Sequence, residues 1–383
     1  MKRKFVLFLL LVVYEVSLTG CWNYREINRL SIVSGLAVDK ASDGSYLLSV
    51  EIVNIEEGGR EVKIKPKILE TKGKTIQDAI RNALKITSPR LYFGHMETVV
   101  ISETVAREGI YDIVDFLSRD IEPRMNIDLL VSAEKTAGAI LHSQSVTTQI
   151  RSYELDRMLR DQKDASKILR VQVYEFINNM AGEGISPVLP CVKGIANEGM
   201  ETSELSETAI FKGDKLLGFT GDEETKYILY VQDKVKGGLL DLENVANIRD
   251  AKTSLDIFSS KTKIQPVYEN GKFKMIINTD TKTRINEQAT NFNFTSTEGI
   301  ALLEKEAGKQ LETGIKNTIR ELQKDYNSDI FGFGATIKRN MPDLWKKVEK
   351  DWPTLYKDLE VSVHSTVRIK NTGLISKPAK LKD

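Results

Sequence analysis

The N-terminal segment constrains the rest of this chain more than any other feature. Three basic residues at positions 2–4 precede an unbroken apolar or aromatic run, Phe5 to Tyr14, which Glu15 ends. A helix that spans a bilayer needs about 20 apolar residues, whereas the apolar part of a secretory signal needs about 7–15. The pattern therefore predicts a signal peptide over residues 1–20, and the chain beyond it must build its own packed cores.

A lipobox follows the apolar run. Leu18-Thr19-Gly20-Cys21 places one apolar and two small residues before a cysteine. Small residues fit a narrow peptidase site and only a thiol forms the thioether to diacylglycerol, so Cys21 is predicted as the lipid-attachment residue. The alternative is an ordinary secretory signal in which Cys21 stands by chance. The order of the basic, apolar and lipobox segments favours lipidation, and two acyl chains would hold the mature protein on a membrane.

The composition of the chain excludes several classes of protein. Its 383 residues suggest two or three domains, and a hydrophobic share of 41% is enough for packed cores. A formal charge of +1 lacks the basic excess of a general nucleic-acid binder. Removal of residues 1–20 takes away three basic residues and one acidic residue, which leaves 52 Lys+Arg, 53 Asp+Glu and a charge of −1. Two cysteines form neither a disulfide framework nor a four-thiolate zinc site.

Strand and helix patterns alternate over residues 30–135. Two runs rich in β-branched residues, Leu30–Val38 and Tyr46–Val53, flank the turn signal Asp43-Gly44. Thr75 can cap a helix whose apolar face begins at the next residue. This alternation predicts an α+β (mixed α/β) fold with several domains.

The middle of the chain changes composition. Residues 134–181 are predicted as mainly helical, and the segment 198–208 contains Glu, Ser, Thr and Gly with almost nothing apolar, which is typical of a linker. The predicted organisation is a signal peptide over 1–20, an N-terminal region over 21–197 that divides near residue 135, a linker over 198–208, a C-terminal region over 209–373 and a frayed tail over 374–383.

Two patterns mark the C-terminal region. The pair Asn270-Gly271 between apolar runs is the signature of a type I′ hairpin. From Ile300 onward, apolar residues at helical spacing form a stripe that predicts an amphipathic helix over residues 298–325, capped by Ser296 or Thr297. Such a stripe is more often the core face of its own chain than a docking surface for a partner helix.

The sequence lacks the motifs that carry catalysis. Lys72-Gly73-Lys74-Thr75 resembles the end of a phosphate-binding loop, but Ile68 stands where such a loop needs glycine, so a turn before a helix is favoured. The three histidines, His95, His142 and His364, are scattered and form no metal-binding or triad pattern. We therefore predict no catalytic residue, no cofactor and no metal site.

Three other features favour structural roles. Gly332-Phe333-Gly334 indicates a turn with close backbone approach, since it carries only two glycines and no dinucleotide fingerprint. Trp345 and Trp352, seven residues apart on one predicted helix, are expected to anchor the core or a domain interface. Cys191 lies in an apolar stretch and is favoured as a small core residue over a nucleophile.

A set of short motifs is distributed along the whole mature chain. They are Cys21-Trp22-Asn23-Tyr24-Arg25-Glu26-Ile27-Asn28-Arg29-Leu30, Ile32-Val33-Ser34-Gly35, Asp39-Lys40, Gly94-His95, Val99-Val100-Ile101-Ser102, Asp115 with Arg119, Glu122 and Arg124, Ala209 to Gly218, Asp329 to Gly334, and Thr372-Gly373. Together they resemble the Ger(x)C proteins, the C-subunit lipoproteins of spore germinant receptors in endospore-forming bacteria. Asn23 stands where the family usually has Asp, and Phe219 stands where a Trp is common.

The resemblance carries expectations about fold and function. It implies three domains, each a β-sheet flanked by helices, and a lipid anchor at Cys21 on the outer face of the inner spore membrane. It implies two membrane-spanning partners, the A and B subunits, in a receptor for small nutrients such as amino acids or sugars. The C subunit of such receptors is not known as an enzyme. The nutrient that is sensed, direct nutrient binding by this subunit and the stoichiometry stay open.

Two other functions share the predicted anchor. A substrate-binding lipoprotein of an uptake system would show two similar α/β lobes around a cleft, and the sequence shows no repeated lobes. A lipid-anchored cell-wall enzyme would need a catalytic motif, which the sequence does not contain. The resemblance therefore favours a non-catalytic receptor subunit.

Overall fold

The long described part of the chain begins at Arg29, directly before the first strand. A computed structural model describes residues 3–8, 14, 29–58, 61–243, 245, 252–289 and 293–371. Cys21 with its lipobox and the tail 374–383 lie outside the described residues. In the part that is described, no helix combines the length and the apolar character that a bilayer crossing requires.

Strands and helices alternate in the described chain. The strands are β1 Leu30–Lys40, β2 Tyr46–Gly58, β3 Glu61–Gly73, β4 Arg90–Tyr92, β5 Thr98–Ser102, β6 Asp128–Ser132, β7 Val188–Asn197, β8 Met200–Lys212, β9 Lys215–Thr220, β10 Leu239–Glu243, β11 Lys252–Glu269, β12 Lys272–Ala289 and β13 Glu360–Asn371. The helices are α1 Ile76–Ala83, α2 Glu103–Glu108, α3 Tyr111–Arg119, α4 Gly138–His142, α5 Arg151–Ala165, α6 Val173–Ala181, α7 Asp222–Val231, α8 Thr297–Tyr326, α9 Phe333–Asn340, α10 Pro342–Val348 and α11 Trp352–Lys357.

Nine strands form the larger sheet. Eight follow the order β3-β2-β1-β5-β6-β7-β8-β9, and β4 also pairs with β1. The centre is parallel, since β1, β5, β6 and β7 run in one direction. Parallel neighbours need long crossovers, and helices α1–α6 occupy the connections between these strands. Antiparallel hairpins β1–β2–β3 and β7–β8–β9 complete the two edges.

Side chains of the central strands alternate between two apolar cores. In β1, Leu36 and Val38 belong to the larger core, whereas Ala37 belongs to the smaller core that α4 and α5 cover. In β5, Val99 and Val100 divide in the same way. Burial on both faces explains why these strands have continuous apolar sequences rather than an alternating pattern.

Four strands form the second sheet, in the order β10-β11-β12-β13. The turn between β11 and β12 has positive φ at Asn270 and Gly271, 51° and 78°, as a type I′ turn requires, so the predicted hairpin is confirmed. β13 runs parallel to β12, and helices α8–α11 lie in the crossover between them. The two sheets differ in strand number and order, so the described residues do not form the two similar lobes of a substrate-binding lipoprotein.

The long amphipathic helix is confirmed as α8. Ser296 caps it, since its hydroxyl oxygen accepts from the N–H of Gly299 at 3.0 Å. The predicted apolar stripe is buried at all six positions, Leu303, Ala307, Leu311, Ile315, Ile319 and Leu322. The stripe is therefore the chain's own core face, in line with the more common role of such a pattern.

Two backbone segments meet at a glycine pair, Gly184 with Gly334, which we call the glycine joint. The N–H of Ala335 donates to the carbonyl oxygen of Gly184 at 2.9 Å. A Cβ added at Gly334 would lie 2.6 Å from Cα of Gly184, and Gly332 has a φ of 71°. The close approach predicted for Gly332-Phe333-Gly334 is confirmed, because only glycines allow the two chains to come this near.

Two predictions of local structure are wrong. Trp345 and Trp352 lie on separate helices, α10 and α11, although their ring centroids are still 5.5 Å apart and both are buried. The segment 198–208, predicted as a linker, lies mostly in β8, which pairs with β7 over its length. The linker prediction relied on the polar composition of this segment. The strand forms because its backbone pairs with β7, and its polar residues Thr202 and Thr208 are buried there.

The α+β (mixed α/β) fold class is confirmed by the two sheets and their flanking helices. The three-domain division and the domain bounds stay predictions. Both residue 135 and the segment 198–208 lie within the sequence span of the nine-stranded sheet.

Candidate functional site

Residues of the Ger(x)C-like motifs converge beside α1 and α3. The Glu122 carboxylate accepts from Nη2 of Arg90 at 2.8 Å and from the N–H of Phe93 at 3.3 Å. Both carboxylate oxygens of Asp115 accept from Nε of Arg119, at 2.7 and 2.8 Å. Three residues of one sequence motif, Asp115, Arg119 and Glu122, thus lie in one surface region of the fold.

A groove runs between α1 and α3. Its wider part has a volume of about 440 Å³ and is lined by Thr75, Ile76, Gln77, Asp112, Asp115, Phe116, Arg119 and Asp120. A narrower part of about 180 Å³ is lined by Gln77, Ile80, Arg81, Leu84, Arg90, Leu91, Phe93, Asp120 and Glu122. The two parts share Gln77 and Asp120, so they form one continuous depression.

The groove is polar at its rim and apolar at its floor. The Tyr46 hydroxyl donates to Asp112 at 3.0 Å, and burial together with that carboxylate raises the pKa of Tyr46 to about 12. The hydrogen bond to Asp115 raises the pKa of Arg119. No Ser, Cys or His belongs to the described lining, so the groove offers charged and hydrogen-bonding groups for binding without a nucleophile–base pair.

A second cavity of about 510 Å³ lies beside α4 and the hairpin β7–β8. His142 lines it, and its Nε2 is 3.6 Å from a carboxylate oxygen of Glu70. Glu134 accepts from the N–H of Gly194 at 2.8 Å, which orders its carboxylate against β7. Ser143 also lines this cavity, but its hydroxyl donates to the carbonyl oxygen of Ile140 at 2.7 Å rather than to His142.

A buried ionic network holds α5 against the sheet. The Glu51 carboxylate, fully buried in β2, accepts from the N–H groups of Arg151 and Ser152 at 2.8 and 2.9 Å and from the Ser34 hydroxyl at 2.8 Å. These N–H groups stand at the first turn of the helix, where the helix dipole also favours a negative charge. Glu51 therefore acts as a helix cap supplied by a distant strand.

The same network pairs Arg151 with Glu154. Burial lowers the pKa of Arg151, and the short contact with Glu154 opposes that effect. Burial would raise the pKa of Glu154, but hydrogen bonds from Thr147 and Val146 together with the Arg151 charge hold it below its usual value. Every charged group here has a partner within the protein. The network therefore holds α5 against the sheet and is not a candidate substrate site.

A further charge cluster lies where β5 and β6 begin. Asp128 is buried, and burial raises its pKa, although Nε of Arg170 contacts both carboxylate oxygens at 3.0 and 3.1 Å. Nη2 of Arg170 also reaches Asp156 at 3.3 Å. Sequence reasoning missed this cluster and the Glu51 network, because Asp128 is 42 residues from Arg170 and Glu51 is 100 residues from Arg151, so neither pair forms a local motif.

The structure keeps the chemistry-bearing residues singled out in the sequence apart from one another. His95 lies in the turn between β4 and β5 with its ring centroid 5.9 Å from that of Tyr92, while His364 lies on β13 of the other sheet. Cys191 is fully buried in β7, as predicted, and burial raises the pKa of its thiol. Among the described residues, no group of three or more His, Cys, Asp or Glu is arranged to hold a metal ion. Cys21 lies outside the described residues.

The described residues define a mixed α/β protein with open, polar grooves suited to binding. Two sequence models of one family match it: "Spore germination protein N-terminal domain" over residues 23–194 and "Spore germination B3/GerAC like, C-terminal" over residues 206–373. The chain belongs to the Ger(x)C family of spore germination proteins, and its role lies in spore germination. The resemblance identified from the sequence motifs is confirmed.

Several relatives match over nearly their whole length. Spore germination protein KC of Bacillus subtilis is 26% identical, with 99% of this chain and 98% of that protein covered. Spore germination protein B3 of the same organism is 27% identical, with 94% and 96% covered. The crystal structure of the GerBC protein matches with a TM-score of 0.57 at 22% identity, over 88% of this chain and 97% of that one, which supports the shared fold.

Proposed function

We propose that this chain is the lipid-anchored, non-catalytic C subunit of a nutrient germinant receptor. It is held by a diacylglyceryl group on Cys21 at the outer face of the inner spore membrane and assembles there with two membrane-spanning subunits. The observation that carries this proposal is the position of the family match, which begins at residue 23, two residues after the lipobox cysteine, and runs with one short gap to residue 373.

The chemistry of the described residues supports a binding role. The grooves of the protein present carboxylates, guanidinium groups and amides beside apolar floors. The Glu51 network shows buried charges paired within the chain, since the Glu51 carboxylate accepts from the Arg151 N–H and the Arg151 guanidinium forms an ion pair with Glu154. Such a surface recognises partners or polar ligands without turning them over.

Replacement of the anchor tests the proposal directly. Cys21→Ala should move the protein from the membrane pellet to the soluble fraction and slow nutrient-triggered germination, because two acyl chains otherwise hold the protein on the bilayer. Fractionation of spore membranes, mass spectrometry of the N-terminal peptide and the loss of optical density of germinating spores measure these effects.

The chain offers a matched control in its other cysteine. Cys191→Ala removes a buried thiol and keeps the anchor, so this variant should stay in the membrane pellet and support germination. Unchanged membrane retention and germination in Cys21→Ala would contradict the proposed anchor.

A further inference from the structure

One end of the nine-stranded sheet carries an unusual share of exposed apolar side chains. It is the end where β1 begins, and its exposed members are Leu84, Ile86, Ile121, Ile55 and Ile64. We propose that these five residues, here called the anchor-side face, lie against the lipid surface of the membrane. The proposal rests on the proposed lipid anchor at Cys21 and adds to it the orientation of the whole protein.

The tether leaves this end close to the membrane. Eight peptide steps separate Cys21 from Arg29, where the description of β1 resumes. Even a fully extended chain of that length spans at most about 29 Å. The opposite end of the 11-residue strand β1 lies about 33 Å further away. A lipid-anchored chain therefore has its β1 start within reach of the headgroups.

Pairing within the sheet brings the apolar residues to this end. Leu30 pairs with Arg90 of β4, and the Ser31 hydroxyl donates to the carbonyl oxygen of Pro89 at 3.1 Å. The segment that leads into β4 contains Leu84 and Ile86, so these residues lie at the end of the sheet where β1 begins.

Ile121 is brought to the same end of the sheet by the contacts of the acidic residues on either side of it, Asp120 and Glu122. Glu122 accepts from Arg90 at 2.8 Å, and the N–H of Glu122 donates to Asp120 Oδ1 at 3.0 Å. The two acidic side chains are thus turned toward the protein. Ile121, between them, projects outward, and the residue is 98% exposed.

The hairpin β2–β3 supplies the remaining pair. β2 runs antiparallel to β1, and its pairing with β1 ends at Val33 with Ile52. β2 and β3 continue beyond that point as a two-stranded arm in which Ile55 faces Ile64 across the strands. The arm therefore extends past the start of β1 in the direction of the tether.

The exposed isoleucines are not scattered over the molecule. In the part of the chain that the structure describes, the exposed isoleucines are Ile55, Ile64, Ile86 and Ile121, and all four lie at this end. Arg81, Lys85 and Arg124 are exposed around them. An apolar surface with basic residues at its border fits a membrane that contains anionic lipids.

The test uses the full lipidated chain in vesicles of phosphatidylethanolamine and phosphatidylglycerol with a share of brominated lipid. Ile64→Cys, Ile86→Cys and Ile121→Cys each receive an environment-sensitive fluorophore, and Ser42→Cys at the far end of β1 is the matched control. Bromine quenching at the three sites should exceed that of the control at least ~3-fold, because the control lies about 30 Å or more from the lipid. Cys191 is buried and stays unlabelled.

Separate outcomes overturn the two proposals. A chain that fails to float with the vesicles contradicts the lipid anchor itself. A chain that floats while its anchor-side labels are quenched no more than Ser42→Cys contradicts the orientation and leaves the anchor intact. Labels that become shielded only after the membrane-spanning subunits are added would assign this face to a protein partner and would also overturn the lipid contact.

Discussion

Asp329 shows how a single buried carboxyl group joins distant parts of this fold. Its oxygens accept from the N–H groups of Phe333 and Gly334 at 3.1 and 2.8 Å and from Nε1 of Trp352 at 3.1 Å. Burial raises the pKa of Asp329 to about 6, and the three donors limit that rise. The carboxyl group therefore caps α9 and fixes α11 while it remains costly to ionise.

Stability should depend on pH through this group. The unfolded chain releases the Asp329 proton near its usual pKa of 3.8, whereas the folded chain keeps it up to about pH 6. The folded state binds more protons between these values, so the contribution of Asp329 to the free energy of unfolding should fall by about 3 kcal/mol as pH rises from about 4 to about 6, and that contribution should be constant above pH 6.

A pair of variants isolates this effect. Asp329→Asn cannot ionise, so its stability relative to the wild type should rise across that pH range, whatever constant offset its amide introduces. Asp343→Asn changes an exposed aspartate and should follow the wild-type profile. Urea unfolding monitored by tryptophan fluorescence measures both. Parallel pH profiles for wild type and Asp329→Asn would refute the assignment.

Hydrogen bonds between residues close in the sequence could be predicted, whereas those between residues far apart in the sequence could not. The Thr75 cap was predicted, and its hydroxyl accepts from the N–H of Asp78 at 3.1 Å. The Glu51 cap of α5 spans 100 residues of sequence, so no window of neighbouring residues contains both partners. The same limit applies to the α1–α3 groove, whose lining comes from separate motifs that only the fold brings together.

Elements defined by periodicity were predicted with nearly correct bounds. The helix predicted over 298–325 is Thr297–Tyr326, because seven turns of regular apolar spacing leave little ambiguity. The part of β8 that lies within 198–208 was predicted as a linker because its polar side chains conceal a strand that depends on pairing. α8 also protects the edge strand β13, whose N–H groups at Ser365 and Ile369 donate to Glu312 and Glu304 at 2.9 and 2.7 Å.

The glycine joint gives a prediction at the scale of elements. Gly184→Ala would place a Cβ 2.5 Å from the carbonyl carbon of Gly334 at a φ of +68°. Gly199→Ala meets a similar φ of +81° with nothing within 4 Å, so it carries the backbone strain alone. Gly184→Ala should lower the free energy of unfolding by about 1–3 kcal/mol more than Gly199→Ala. Equal losses in urea unfolding would show that the joint is not tightly packed.

The whole molecule combines a short tether with a structured end. The sequence predicted the anchor from local chemistry, but the orientation depends on pairing registers that place Leu30 beside Arg90 and carry the β2–β3 arm past the start of β1. A single exposed isoleucine is ordinary on a protein surface. The topology of the sheet is what shows that four of them share one end.

Tether length should therefore control how firmly the anchor-side face meets the membrane. A flexible Gly/Ser insertion of about 20 residues between Asn28 and Arg29 lowers the effective concentration of that face at the bilayer about 6-fold, because the concentration falls with roughly the −3/2 power of tether length. Bromine quenching of the label in Ile86→Cys should fall while flotation with vesicles stays unchanged. The same insertion between Ser42 and Asp43, at the far end of β1, should leave the quenching as it was. If both insertions leave the quenching unchanged, the tether does not contribute to the contact.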